Sequence, residues 1–211
     1  MPSRRAALLT PLALLGCAEL RRSNVPLPPP AGILPPSQEP GRAAVALLER
    51  DARDASLGIR DDPARAARLA AVLEWLSAEI ATQPRWAPLS RGTRGGMTAA
   101  RDEMRAAIGV DALAPTPPLV QTLARASTAY AGGNGAPALP TGLFPRGAEA
   151  ATARLSNTGP LPAVELAANA LTEEVRRLDT TNGWDARPET AVPPDLGGLG
   201  GTENNVDNLG R

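Results

Sequence analysis

The residues able to do chemistry in this chain are few in kind. There is one cysteine, Cys17, no histidine, and 22 basic residues that are all arginine. Without histidine there is no Ser-His-Asp triad, no Cys-His pair and no zinc site of the usual type. Without lysine there is no Schiff base, no Ser-Lys dyad and no phosphate-loop lysine. Carboxylates, hydroxyls, one tyrosine and arginine remain, an inventory that disfavours an enzyme but still admits a carboxylate-based hydrolase. Glu74, Glu103 and Glu165 are the carboxylates such a hydrolase would use. The other chemistry-bearing stretch is QPRWAPLSRGTRGG, residues 83–96, where Trp86 stands among Arg85, Arg91 and Arg94. An exposed tryptophan flanked by guanidinium groups suits anionic sugars, phosphate or lipid headgroups. Alternatively Trp86 folds back into the core and the arginines stay in water.

The single thiol has a particular setting. Arg4 and Arg5 precede an apolar run from Ala6 to Gly16, 11 residues that end at Leu14-Leu15-Gly16-Cys17. A bilayer-spanning helix takes about 20 residues, so the run has the length of a signal-peptide core instead. Pro11 in its middle opposes a buried helix. The segment resembles the signal and lipobox of bacterial lipoproteins, with Leu at the third position before Cys and a small residue just before it; Leu15 departs from the residue types the family prefers there. The resemblance covers about 20 residues and says nothing of the rest. It implies cleavage before Cys17, lipid on the Cys17 sulfur and acylation of the new amino terminus. Ala18 follows where Asp would signal inner-membrane retention, so the resemblance implies the outer membrane, facing the periplasm. A thiolate suits that transfer, and several acyl chains anchor where one binds only marginally. An ordinary signal peptidase cutting after Ala18 is the competing reading, leaving a plain secreted or periplasmic protein. Ser3-Arg4-Arg5-Ala6-Ala7-Leu8 is also similar to a twin-arginine export signal, with Ala7 where Phe is favoured.

The remaining chain must present these residues on helices. Residues 18–40 hold seven prolines, a composition for an extended linker without a packed core. Fully extended it would reach roughly 70 Å. Arg42–Leu57 reads as a helix stopped by Gly58. In DDPARAARLAAVLEWLSAEI an Asp61 or Asp62 cap and Pro63 open a helix whose core stripe is Leu69, Leu73, Leu76 and Ile80, with Val72 widening it. Glu74 and Glu79 fall off that stripe, on the face expected to be wet. Residues 97–108 form a short helix ended by Gly109, and Thr116 and Pro117 open another that ends at Gly132-Gly133. Residues 133–160 read as loop with a helical turn near 148–155, pinned by Phe144. The last helix begins at Pro162 with Val164, Ala168, Leu171, Val175 and Leu178 inward, as bundle core rather than a dimer zipper.

The fold expected is therefore all-α: a small alanine-rich bundle of four or five helices over residues 41–179, after a signal peptide (1–16) and a lipidated, proline-rich linker (17–40). The tail, 180–211, has little to bury and reads as disordered; Trp184 alone has the size to dock back. Acidic residues also number 22, so the net charge is zero, and only 2% of residues are aromatic. That argues against nucleic acid. No cofactor and no metal is called for. The expected partners are the membrane, through the lipid, and an envelope protein or the cell wall.

Overall fold

A computed structural model describes residues 26–36, 38–133 and 137–185. The signal peptide, Cys17 and the tail beyond Asp185 lie outside the described residues. Within them the protein is all-α, with six α-helices and no strand. They are α1 (Pro40–Asp51), α2 (Pro63–Thr82), α3 (Arg91–Ile108), α4 (Thr116–Ala131), α5 (Gly147–Ser156) and α6 (Pro162–Thr180).

Local chemistry sets most of the starts. Pro40, Pro63 and Pro162 sit in the first turns of their helices, where the missing N–H is no loss. Glu39 accepts from the amides of Gly41 and Arg42, Asp62 from Arg65 and Ser90 from Thr93. The Ser90 cap starts α3 six residues before Met97, through Gly92, Gly95 and Gly96, where the sequence reads as loop. Gly96 faces Ala167, so α3 and α6 approach closely there; a Cβ on Gly96 would meet the Ala167 Cβ at 3.8 Å. Thr116 does not cap α4. Its hydroxyl instead accepts from Arg105 at 3.4 Å. The expected turn near 148–155 is a full helix, α5, and Phe144 pins the loop before it at 1% exposure.

Helix α1 stops at Asp51, short of Leu57. Arg65 donates to the Asp51 and Arg53 carbonyls and so takes the acceptors at that helix end. The chain then turns through Asp54 at φ 59° into a 3₁₀ turn, Ala55–Leu57. Residues 55–61 run beside 156–161, joined by Leu161 N–H to Ala55 O (2.8 Å), Thr158 N–H to Ile59 O (3.1 Å) and Asp61 N–H to Ser156 O (2.8 Å). Gly58 is required here: its φ is +86°, and a Cβ would lie 2.7 Å from the Gly159 carbonyl oxygen.

Helix α2 is the axis. It packs on α1, α3, α4 and α5, while α6 closes the far side against α3 and α1. Leu69, Val72, Leu73, Leu76 and Ile80 are buried as the stripe requires, but so are Ala66, Ala67, Ala70, Ala71, Trp75 and both glutamates. A helix surrounded on all sides needs apolar or neutralised residues on all sides, and the alanines supply the former. The wet face expected at Glu74 and Glu79 is thus corrected: each is 3% exposed, because arginines from other elements reach them. The inward residues of α6 are all buried in the bundle.

The proline-rich segment is corrected in part. Residues 26–36 do not stand off the domain. Trp75 Nε1–H donates to the Leu27 carbonyl at 2.9 Å, Pro30 is buried, and Leu27, Ile33 and Leu34 pack against the core. A Cβ built on Gly32 would lie 3.6 Å from Thr128 Oγ1, so this strap reaches from α2 to α4. At the other end, the chain continues past Thr180 into a 3₁₀ turn, Gly183–Asp185, that returns Trp184 to the bundle.

Candidate ligand-binding cleft

The cleft forms where the two ends of the folded region meet the turn after α2. Gln83 leaves the helix with extended backbone, and Pro84–Trp86 make a 3₁₀ turn that aims Trp86 inward. The first turn of α1 passes directly over its ring; a Cβ on Gly41 would be 2.9 Å from Trp86 Cζ2. Trp86 is therefore a core residue at 3% exposure, the second of the two outcomes the sequence allows. Trp184 meets it edge to face, with ring centroids 5.9 Å apart and planes at 72°, a preferred geometry for aromatic pairs.

Guanidinium groups lie on both indoles. The Arg85 Cζ is 5.3 Å from the Trp86 centroid and the Arg42 Cζ is 5.1 Å from that of Trp184. Neither arginine is free. Arg85 pairs with Glu39, and its Nη2 donates to Glu79 Oε2 at 2.8 Å. Arg42 pairs with Asp179, Nη2 to Oδ1 at 2.6 Å, and the same oxygen accepts from Trp184 Nε1 at 2.7 Å. Hydrogen bonds from Arg42 and Trp184 hold the Asp179 carboxyl below the usual carboxylate range. Burial alone would raise Glu39, but the amides of Gly41 and Arg42 and the Arg85 charge outweigh it and bring the carboxyl below its ordinary value. Both carboxylates stay ionised at neutral pH. The result is an open cleft of about 460 Å³ lined by Glu39, Arg42, Arg85, Trp86, Trp184 and Asp185. Two guanidinium groups stand there among four carboxylates, Glu39, Glu79, Asp179 and Asp185, so no positive charge is left unbalanced.

Of the four loop residues picked out by type, the structure brings Arg85 and Trp86 into the cleft and leaves Arg91 and Arg94 out. Those two lie on the first turns of α3, exposed and half-buried, and among the described residues neither pairs with a carboxylate. The anionic ligand suited to Trp86 beside three unpaired arginines does not fit two arginines already paired. Sequence reading missed Glu39, Arg42 and Asp185. Trp184 carried a signal, as the one bulky side chain in a small-residue tail.

The three glutamates considered for acid–base work are not brought together. Glu74 forms a two-pronged pair with Arg105, Nη2 to Oε2 at 2.7 Å. Glu103 accepts from the Val164 amide at 2.9 Å and so caps α6 from a neighbouring helix. Glu165 accepts from the Ser56 amide at 2.8 Å, and hydrogen bonding there lowers its carboxyl, the opposite of what a general acid needs. Among the described residues, no group of three or more Asp, Glu or Cys side chains could hold a metal ion, and no helix is long and apolar enough to cross a membrane.

Comparison with protein-family models, with curated proteins and with solved structures finds no match.

Proposed function

We propose that this chain is an exported, lipid-anchored binding module of the bacterial cell envelope, on the outer membrane and facing the periplasm. One observation carries the binding half: a two-indole cleft opens beside the root of the N-terminal strap. Arg85 lines both that cleft and the adjoining 280 Å³ groove, whose other wall includes Pro26 and Leu27 of the strap. The signal-like segment and Leu14-Leu15-Gly16-Cys17 support the anchoring half. Together they give a short-range module. Residues 26–36 belong to the folded domain, so only residues 18–25 separate the lipid from it. Eight residues span at most about 28 Å. The cleft then works close to the membrane surface rather than far out on a stalk.

The test is fractionation of the expressed full chain with mass spectrometry of its amino terminus. The expected chain begins at Cys17, carries acyl groups and sediments with membranes. Cys17→Ser should leave the helical circular dichroism unchanged and release the protein, since about 0.8 kcal/mol per buried CH₂ of acyl chain is lost. A native chain that begins at Glu19, unmodified and soluble, defeats the proposal.

A further inference from the structure

We infer that the Trp86–Trp184 cleft binds an uncharged glycan. The inference deepens the binding-module reading and rests on it for its setting at the envelope, but the cleft's chemistry stands on its own residues.

Charge decides first. A site for phosphate, an acidic sugar or an anionic headgroup needs an unengaged cation. Here Arg85 is held by Glu39 and Glu79, and Arg42 by Asp179. An anion entering the cleft would have to displace a carboxylate from each guanidinium. A cationic ligand fares no better, because Arg42 and Arg85 already supply the cation–π partner of each indole, and a second cation gains nothing from the rings' electrostatics.

Donor placement decides next. A proline-rich peptide docks on tryptophan through its ring packing and a hydrogen bond from the indole N–H to a peptide carbonyl. The protein makes such a contact within its own chain, from Trp75 Nε1–H to the Leu27 carbonyl. Neither indole of the cleft offers it. Trp184 Nε1–H is engaged by Asp179, and Trp86 Nε1 is inaccessible to solvent, with no hydrogen-bond partner among the described residues.

A sugar ring meets what is left. Each hydroxyl both donates and accepts, so neighbouring hydroxyls can take a guanidinium N–H and give to a carboxylate without breaking the ion pair between them. Glu39–Arg85 is one such pair in the lining, Arg42 with its Asp179 partner beside the cleft is the second, and Asp185 adds an acceptor. The apolar C–H face of the ring suits Trp184, the less buried of the two indoles. A volume of about 460 Å³ lies in the range of small-molecule sites and suits one or two sugar residues. The sugar would come from free oligosaccharide or from wall polymer.

The test uses the full-length chain in detergent, titrated with chitotetraose and maltotetraose as neutral probes. Inorganic phosphate and a hexaproline peptide serve as comparators. Binding is followed by tryptophan fluorescence and calorimetry, and pelleting with isolated sacculi separates polymer from free sugar. At least one neutral oligosaccharide should bind saturably, with a Kd on the order of 0.1–1 mM, and phosphate should not. Trp184→Ala should weaken that binding more than about tenfold, equivalent to about 1.4 kcal/mol. If that variant melts early, Trp184→Phe keeps a platform and should retain partial binding. Trp75→Phe, outside the cleft, should bind as the native chain does. Failure of both oligosaccharides overturns the inference. So does binding that survives Trp184→Ala unchanged, or binding of phosphate or hexaproline that Trp184→Ala removes. An acylated, membrane-bound chain that ignores sugar defeats the glycan and leaves the tethered module. A soluble, unmodified chain that binds sugar does the reverse.

Discussion

Glu74 and Glu79 stand five residues apart on α2, equally buried and each facing an arginine, yet the two pairs serve different ends. Arg105 is 11% exposed beside Glu74, whereas Arg85 is 43% exposed beside Glu79. Arg105 also donates to the Ala112 and Ala114 carbonyls at 3.2 Å each. It therefore staples α2, the end of α3 and the loop that follows. Arg85 looks outward, shares itself with Glu39 and forms one wall of a cleft. A buried carboxylate forces a partner in both places. Where the partner is also enclosed, the pair is architecture; where it opens to water, its remaining donors are available to something else.

The largest effect should come from breaking the enclosed pair. Arg105→Ala strands the Glu74 carboxylate in the core, and such truncations cost about 3–5 kcal/mol. Arg85→Ala should cost less, about 1–2 kcal/mol, because water entering from the cleft can solvate Glu79. Urea denaturation of the two variants side by side checks the order. Equal losses would mean that the outward pair is as structural as the inward one. Replacing both partners of the inner pair, Glu74→Leu with Arg105→Met, should recover most of the stability, since apolar pairs of similar volume often substitute well.

Acid is a second way to test the ion pairs. Burial raises the Asp51 carboxyl, but hydrogen bonds from Arg50 and Arg68 more than offset it, and the net value lies below the ordinary one. Glu39, Glu174 and Asp179 are also lowered. A depressed folded-state value means that the stabilisation is complete above the unfolded-state value, about 4, and is lost as pH falls through the folded one. With no histidine in the chain, the urea midpoint should be level from about pH 5 to 7.5 and drop below about pH 4. A midpoint that slopes in the native chain between about pH 5 and 7.5 would implicate a titrating group not identified above.

Local signals explain why so much of the bundle was legible before its geometry was known. Prolines at helix starts, the Asp62 cap, and Gly109 at φ +76° after α3 each act within a few residues of where they stand. The heavy apolar stripes of α2 and α6 did the rest. What could not be read acts across long stretches of chain. Trp75 holds the strap by a bond to a residue 48 positions away, and Arg105 reaches Glu74 across 31. Arg42 and Asp179 are 137 apart. Periodicity assigned Glu74 and Glu79 to water because it ranks residues by type and cannot see a partner arriving from another helix. The strap failed for a related reason: proline content describes the chain's stiffness and not the surface offered to it. The cleft was half legible, through Arg85 and Trp86, and its other half came from the two ends of the domain.

The smallest effect is expected where sequence proximity promised most. Arg91 and Arg94 share a 14-residue stretch with Trp86, yet they sit on α3 beyond Ser90. Ser90 itself is fixed by Glu174 of α6, its amide to Oε1 at 2.7 Å and its hydroxyl to Oε2 at 3.1 Å. That clamp turns the chain away from the cleft before either arginine is reached. Arg91→Gln and Arg94→Gln should each change stability by less than about 0.5 kcal/mol, the usual range for surface positions. The double variant should bind the neutral oligosaccharides as the native chain does, whereas Arg42→Gln should weaken them, because it removes a guanidinium that stacks on Trp184 and holds Asp179 in place. Calorimetric titration of the two variants decides between neighbours in sequence and neighbours in space. If the Arg91/Arg94 variant lost binding and Arg42→Gln did not, the ligand would lie along the start of α3 and the two-indole cleft would be only a packing seam.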